Sequence, residues 1–118
     1  MNQSNHDTSL LYLIKNDGMG SGETELRQKV LHTHLNLLLD SNMLLGAIAF
    51  YTEGVKLTTE DSPVLEPLQA LESRGVHVIV CKSCLEHFGL LEQRRVGVVG
   101  GMNDVIAAIW AAKKVVTL

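Results

Sequence analysis

Apolar residues fall into short runs separated by polar or glycine-rich stretches. Ser9–Lys15 (SLLYLIK), Leu44–Tyr51 (LLGAIAFY), Val76–Val80 (VHVIV), Val96–Val99 (VGVV) and Val115–Leu118 (VVTL) are rich in strand formers. Their near-continuous hydrophobicity predicts strands covered on both faces, the signature of a parallel sheet. Between them the period lengthens. A helix is expected over Glu23–Ser41, with Glu23 and Glu25 at its positive end and Leu26, Val30, Leu37 and Leu38 sharing a face. Ser62 as N-cap and Pro63 at the first position predict a second helix, striped by Leu65, Leu68 and Leu71 and stopped at Gly75. Pro67 is awkward inside it and predicts a delayed or distorted first turn. A short helical stretch follows Cys81 and runs to Phe88, with Gly89 ending it. After Gly100-Gly101, Asn103 is the expected cap of a last helix, with Asp104 in its first turn and Val105, Ile106, Ile109 and Trp110 facing inward.

Strand and helix thus alternate through the chain. That order predicts an α/β domain with parallel strands, crossover helices on both faces and right-handed connections. One domain is expected over residues 9–118, preceded by a polar tail, Met1–Thr8. No internal repeat or linker interrupts it.

Composition agrees with a single globular core. The chain has 118 residues, 46% hydrophobic and 19% charged, with aromatics at only 4%, so the core is expected to be aliphatic. The net charge is −3, and the basic residues form no block beyond the pairs Arg94-Arg95 and Lys113-Lys114. A phosphate-binding face needs a concentrated basic patch, so no nucleic acid partner is expected. No apolar run is long enough to cross a bilayer, and the opening residues lack the pattern of a secretion signal. Two cysteines in such a chain point to a reducing, cytoplasmic compartment, where neighbouring thiols serve redox chemistry, nucleophilic chemistry or metal binding more often than a structural staple.

In an open parallel sheet the binding edge lies beyond the C-terminal ends of the strands. The loops there are Asn16–Gly22, Thr52–Thr59, Cys81–Cys84 and Gly100-Gly101. Cys81 ends a strand and starts a helix, where backbone N–H groups and the helix dipole favour a thiolate. Lys82 stands beside it. Cys84, at C-x-x-C spacing, can resolve a mixed disulfide or share a persulfide. The rival reading makes both thiols small hydrophobes under a loop; their place at a strand-to-helix turn favours chemistry. Cys81, Cys84 and His87 also spell C-x-x-C-x-x-H, a partial zinc pattern that would need a distant fourth ligand such as His77 or His32. Gly18-Met19-Gly20-Ser21-Gly22 sits where phosphates are cradled, but it meets neither the dinucleotide nor the P-loop pattern, and Glu23 and Glu25 would repel phosphate. It is expected to be a tight turn and one wall of the cleft, with Asp17 and Glu53 at the border.

The stretch Cys81-Lys82-Ser83-Cys84-Leu85-Glu86-His87-Phe88-Gly89-Leu90 resembles the C-G-T-C-L-x-x-x-G-L segment of YchN-like proteins in the DsrE family. It is also similar to the C-terminal domain of YedF-type proteins linked to selenium metabolism. Asn16-Asp17-Gly18, Glu53-Gly54-Val55-Lys56-Leu57 and Lys113-Lys114-Val115-Val116-Thr117-Leu118 extend the likeness over most of the chain. The resemblance implies a three-layer α/β/α fold, flavodoxin-like in its layering, with a five-stranded parallel sheet. It implies homo-oligomers from dimer to hexamer, sulfur donor and acceptor proteins as partners, and no cofactor. Sulfur-relay members carry persulfide sulfur on the cysteine whose place relative to Gly89 is held here by Cys81. Cys84 matches an extra cysteine of the YchN and YedF types.

The departures are Phe88, where YchN-like proteins often have Arg, Lys82-Ser83 in place of Gly-Thr, and the lack of the TusA-like domain with which YedF-type proteins usually begin. A separated domain or a stand-alone relative is therefore expected. The functional expectation is a sulfur carrier, sulfurtransferase-like if active, with sulfur or selenium on Cys81. Cys84 would release or protect it, and Asp17, Gly18, Gly20, Gly22, Glu53, Lys82 and Ser83 would bind the substrate. Its rivals are a non-catalytic oligomeric interaction module and a thiol-redox or zinc domain.

Overall fold

A computed structural model describes residues 5–118. In chain order they form β1 (Asn5–Ile14), α1 (Thr24–Asp40), β2 (Met43–Phe50), a 3₁₀ segment (Thr52–Thr58), α2 (Leu65–Ser73), β3 (His77–Cys81), α3 (Lys82–His87), a 3₁₀ turn (Leu91–Gln93), β4 (Val98–Gly100), α4 (Met102–Ala111) and β5 (Lys114–Thr117). The sheet runs β4-β3-β2-β1-β5, and every neighbouring pair is parallel. This is the three-layer α/β/α architecture with five parallel strands that the sequence predicts.

The strand order makes the two outer layers unequal. Steps from β1 to β2, β3 and β4 all go the same way, and their connections cover one face. There Leu31 and Leu35 of α1, Leu68 and Leu71 of α2 and Leu85 of α3 pack on Ile14, Ile48, Phe50, Val78 and Val80. β5 returns to the far side of β1, so α4 crosses the other face alone. The core it covers is small: Val105 packs against Leu11, Ala49 and Ile79, with Ala47, Ala108 and Ala112 around them. Among the described residues no helix is long and apolar enough to cross a membrane.

Several boundaries and faces differ from the sequence reading. Asn5–Thr8, expected in the polar tail, extend β1: Asn5, His6 and Asp7 are in register with Met43, Leu44 and Leu45, and His6 Nε2 hydrogen-bonds the Leu45 carbonyl at 3.1 Å. Backbone pairing needs no apolar side chain, so polarity concealed it; Met1–Ser4 lie outside the described residues. In α1 the buried positions are Leu31 and Leu35, whereas Leu26, Val30 and Leu37 face outward. The helix carries two apolar stripes, and of the four positions expected to share a face only Leu38 packs against the core, partly buried. α2 starts at Leu65, after Ser62 and Pro63, and its first i→i−4 bond is Leu68 N–H to the Val64 carbonyl at 3.1 Å. An earlier start would require an N–H from Pro67, which has none.

α4 is capped at Gly101, whose N–H donates to Asp104 Oδ2 at 2.9 Å; Asn103 lies in its first turn. Of the four residues expected to face inward, only Val105 is buried. Ile106 and Ile109 are exposed, and Trp110 is 84% exposed. The alanines around Val105 let α4 lie close on the sheet, and its larger side chains are left on the outside.

The two stripes of α1 predict opposite outcomes for one substitution. Leu35→Ala should cost about 2–5 kcal/mol of unfolding free energy, as for other buried leucines, with Leu37→Ala within about 0.5 kcal/mol of wild type. Urea unfolding followed by far-ultraviolet circular dichroism checks both, and equal losses would contradict the assignment of the faces.

Candidate functional site

The end of β3 is buried on the thicker side of the sheet. Cys81 is its last residue and also the N-cap of α3, with an extended backbone that gives way to helix at Lys82. The next turn of α3 brings Cys84 back over it. Both cysteines are free thiols, Cys81 buried and Cys84 half-buried. Cys84 Sγ donates to Cys81 Sγ at 2.9 Å, and Ser83 Oγ lies 3.4 Å from the same sulfur. Burial pushes the Cys81 thiol up, but hydrogen bonds from the Cys84 and Ser83 side chains, together with their backbone N–H groups, outweigh it, so its pKa lies below that of an ordinary thiol. Cys84 is shifted the other way. Burial raises it, and so do its hydrogen bond to Cys81 and the charge there; the Thr52 N–H opposes them. The pair therefore divides into a lower-pKa thiol at Cys81 and a higher-pKa thiol at Cys84.

A second element completes the site. After β2 the chain turns at Thr52, which has φ of +48°, and its N–H donates to Cys84 Sγ at 3.1 Å. A β-branched residue disfavours that conformation, so its neighbours must hold it. Thr52 Oγ1 donates to the Lys15 carbonyl at 2.8 Å, and the Gly54 N–H donates to the same carbonyl at 3.2 Å. A Cβ on Gly54 would collide with the Ile14 carbonyl oxygen. Nothing in the identity of Thr52 announces this role, and the sequence reading passed over it. A signal did exist in Gly54, two residues on, at a place where only glycine fits.

Cys84 opens onto a shallow cleft of ≈ 410 Å³, lined also by Thr52, Glu53, Ser83, His87 and Phe88, and buried Cys81 lies behind it. Glu53 is paired with Lys56 Nζ at 3.1 Å, and that ammonium lies 4.5 Å from the centre of the Phe88 ring. The His87 ring meets Phe88 edge-on. Lys82 is exposed in the first turn of α3.

Of the proposed substrate residues, Ser83 and Glu53 thus share the cleft with Cys84. Asp17, Gly18, Gly20 and Gly22 do not line it. Their loop is closed on α1 by Arg27, which pairs with Asp17 and donates through Nε to the Gly22 carbonyl at 3.0 Å and through its other guanidinium nitrogen to Thr24 Oγ1 at 3.0 Å. Gly18 lies under Arg27, where a Cβ would strike that residue's side chain. Among the described residues no three His, Cys, Asp or Glu side chains are arranged to hold a metal ion, so Cys81, Cys84 and His87 do not form a ligand set. His77 lines a groove beside α4, and His32 is bonded to Asn36 within α1.

Fold and site together define a parallel α/β domain with a polarised dithiol where the third strand passes into a helix. The chain belongs to the DsrE/DsrF-like family, which it matches over residues 21–118. That family is associated in general with sulfur relay. Two solved structures share the fold. One is MTH1491 from Methanobacterium thermoautotrophicum, described as a protein of unknown function, with a TM-score of 0.66 and 19% identity over 92% of this chain and 97% of that one. The other is the YchN protein from E. coli, with a TM-score of 0.65 and 19% identity over 93% and 98%. No curated protein matches the sequence.

The electrostatics set the direction of a titration. Only the thiolate alkylates, so a lowered pKa brings the reaction to lower pH. The pH profile for iodoacetamide modification of Cys81, read by peptide mass, should have its midpoint below that of a free thiol. Ser83→Ala and Cys84→Ala each remove a donor and should move the midpoint up; unchanged profiles in both would contradict the stated cause.

Proposed function

We propose that the chain is a sulfur-relay protein that carries sulfane sulfur as a persulfide on Cys81. The observation that carries this reading is the polarised thiol at the N-cap of α3, with donors from Cys84 and Ser83 directed at its sulfur. The Cys81 thiolate attacks the outer sulfur of a donor persulfide. The donor's S–S bond breaks, the donor thiolate leaves and is protonated, and the outer sulfur stays on Cys81. An acceptor thiolate then takes that sulfur, and Cys81 is regenerated as thiolate. A cleft this shallow suits a cysteine displayed on another protein better than a small molecule that must be enclosed, so the partners are sulfur donor and acceptor proteins. An inert interaction module would give no reason for two thiols to be shifted in opposite directions.

The reading is tested by intact mass after brief incubation with a small-molecule persulfide donor. Wild type and Cys84→Ser should each gain one sulfur atom that a thiol reductant removes, and Cys81→Ser should gain none. Loading that survives in Cys81→Ser would refute the assignment.

We also infer a homo-oligomer built partly on the outward face of α4. Met102, Ile106, Ile109 and Trp110 are exposed there, with Val98 and Val115 on the neighbouring edge strands. Large apolar side chains grouped on one exposed helix face make a surface suited to being covered. Sedimentation velocity should show more than one copy per particle, and Trp110→Glu should shift the distribution toward monomer. A wild type that stays monomeric at high micromolar concentration would count against it.

A further inference from the structure

The carrier reading uses Cys84 only as a hydrogen-bond donor, a part a hydroxyl could play, and so does not explain why a second thiol lies within 2.9 Å of the sulfur that would hold the cargo. A carrier that only passes sulfur to a partner gains nothing from a neighbour able to attack it. Resting on that reading, we propose that the protein has a second activity, in which Cys84 resolves an undelivered persulfide on Cys81 by releasing hydrosulfide and closing a Cys81–Cys84 disulfide.

The reaction balances without an external oxidant. Cys84 Sγ attacks Cys81 Sγ, the inner sulfur of the persulfide. The bond between that sulfur and the outer one breaks as the Cys81–Cys84 bond forms. The outer sulfur leaves as hydrosulfide, taking the electron pair and the Cys84 proton. It is reduced from the sulfane to the sulfide level, and the two cysteine sulfurs are oxidised to the disulfide. A free thiol reductant then returns the protein to its dithiol form. Delivery differs in the atom attacked, since an acceptor strikes the outer sulfur and Cys84 the inner one.

Three observations support this assignment. A disulfide bond is about 2.05 Å, so the sulfurs need to close by less than about 1 Å, a movement within reach of one side-chain rotation. Cys84 is held facing Cys81 by the Thr52 N–H, a donor anchored on the Lys15 carbonyl and not on Cys81 itself. The third is the cause of the raised Cys84 pKa: apart from burial, both upward effects come from Cys81, through its hydrogen bond and its negative charge. A persulfide on Cys81 turns that thiolate into a neutral inner sulfur. The negative charge moves one bond out, to the terminal sulfur, which is then placed to take the Cys84 proton as the bond to it breaks. In the empty protein Cys84 is a donor to Cys81; in the loaded protein it becomes the nucleophile.

The test uses the whole chain. Reduced protein is loaded with limiting sodium polysulfide, freed of donor by rapid desalting and kept in thiol-free buffer. Hydrosulfide is trapped with bromobimane while intact mass is followed. Wild type should release one sulfide for each sulfur loaded and end two hydrogens lighter than the reduced protein, with peptide mapping placing the bond between Cys81 and Cys84. Cys84→Ser should keep its extra sulfur at least about tenfold longer, because the attacking thiolate is gone. The sulfide burst and the mapped disulfide are read on wild type alone, so they stand even if the variant folds poorly. A wild type that loads and then retains its sulfur as long as Cys84→Ser, with no disulfide, overturns this proposal and leaves the carrier reading intact. A wild type that never loads, with Cys81 still open to alkylation, overturns both.

Discussion

The 3₁₀ segment after β2 lies across the end of β1 only because residue 54 has no side chain. Gly54 sits against the Ile14 carbonyl oxygen and donates its N–H to the Lys15 carbonyl. That close approach places Tyr51 and Thr52, with the Tyr51 N–H also directed to the Ile14 carbonyl at 3.2 Å. Thr52 is thereby held at positive φ and can present its N–H to Cys84. Cys84 in turn donates to Cys81. The dithiol is thus assembled from three strand ends, and its geometry depends on a backbone contact on β1 that no thiol touches.

The same sheet explains why the site lies on one side. Because β1, β2, β3 and β4 follow in order, every loop that contributes to the dithiol comes from connections on the thicker face. α4 belongs to the single reversal in strand order and contributes nothing to the cleft. The molecule therefore separates its tasks. One face supplies most of the core and the paired thiols, and the other is a thin alanine-lined layer with large apolar side chains turned outward.

How much of this could be read in the sequence follows from what each signal measures. The strands were legible because burial on both faces leaves continuous apolar runs, and Cys81 was legible because it ends one of them. Helix faces were less so. Leu26, Val30 and Leu37 are spaced as well as Leu31 and Leu35, and periodicity alone cannot say which stripe meets the sheet. In α4, Ile106, Ile109 and Trp110 look like core by hydrophobicity, yet alanine decided which side lies on the sheet. The glycine loop was correctly read as a turn, but it is not a wall of the cleft: Arg27 ties it to α1 instead, which the spacing of its glycines did not show. Thr52 was invisible, because its importance lies in a backbone N–H that every residue except proline carries.

The way β1 begins bears on how copies of this chain can meet. At Asn5–Thr8 the strand runs beyond β5, whose side of β1 is first met where the Lys113 N–H donates to the Ser9 carbonyl at 2.9 Å, and so it extends past that partner. That stretch is not a clean template. Its register against β2 shifts between Asp7 and Leu11, and Asp7 Oδ1 accepts the Ser9 N–H at 3.0 Å and the Ser9 hydroxyl at 2.5 Å. The outermost strands are short, β4 spanning Val98–Gly100 and β5 Lys114–Thr117. A neighbouring chain seeking to add a strand finds bulged, self-satisfied or brief borders, the features that discourage runaway sheet extension and aggregation. Borders of this kind leave side-chain surfaces as the route for any contact between copies, and such contact can stop at a closed particle instead of growing into a fibre.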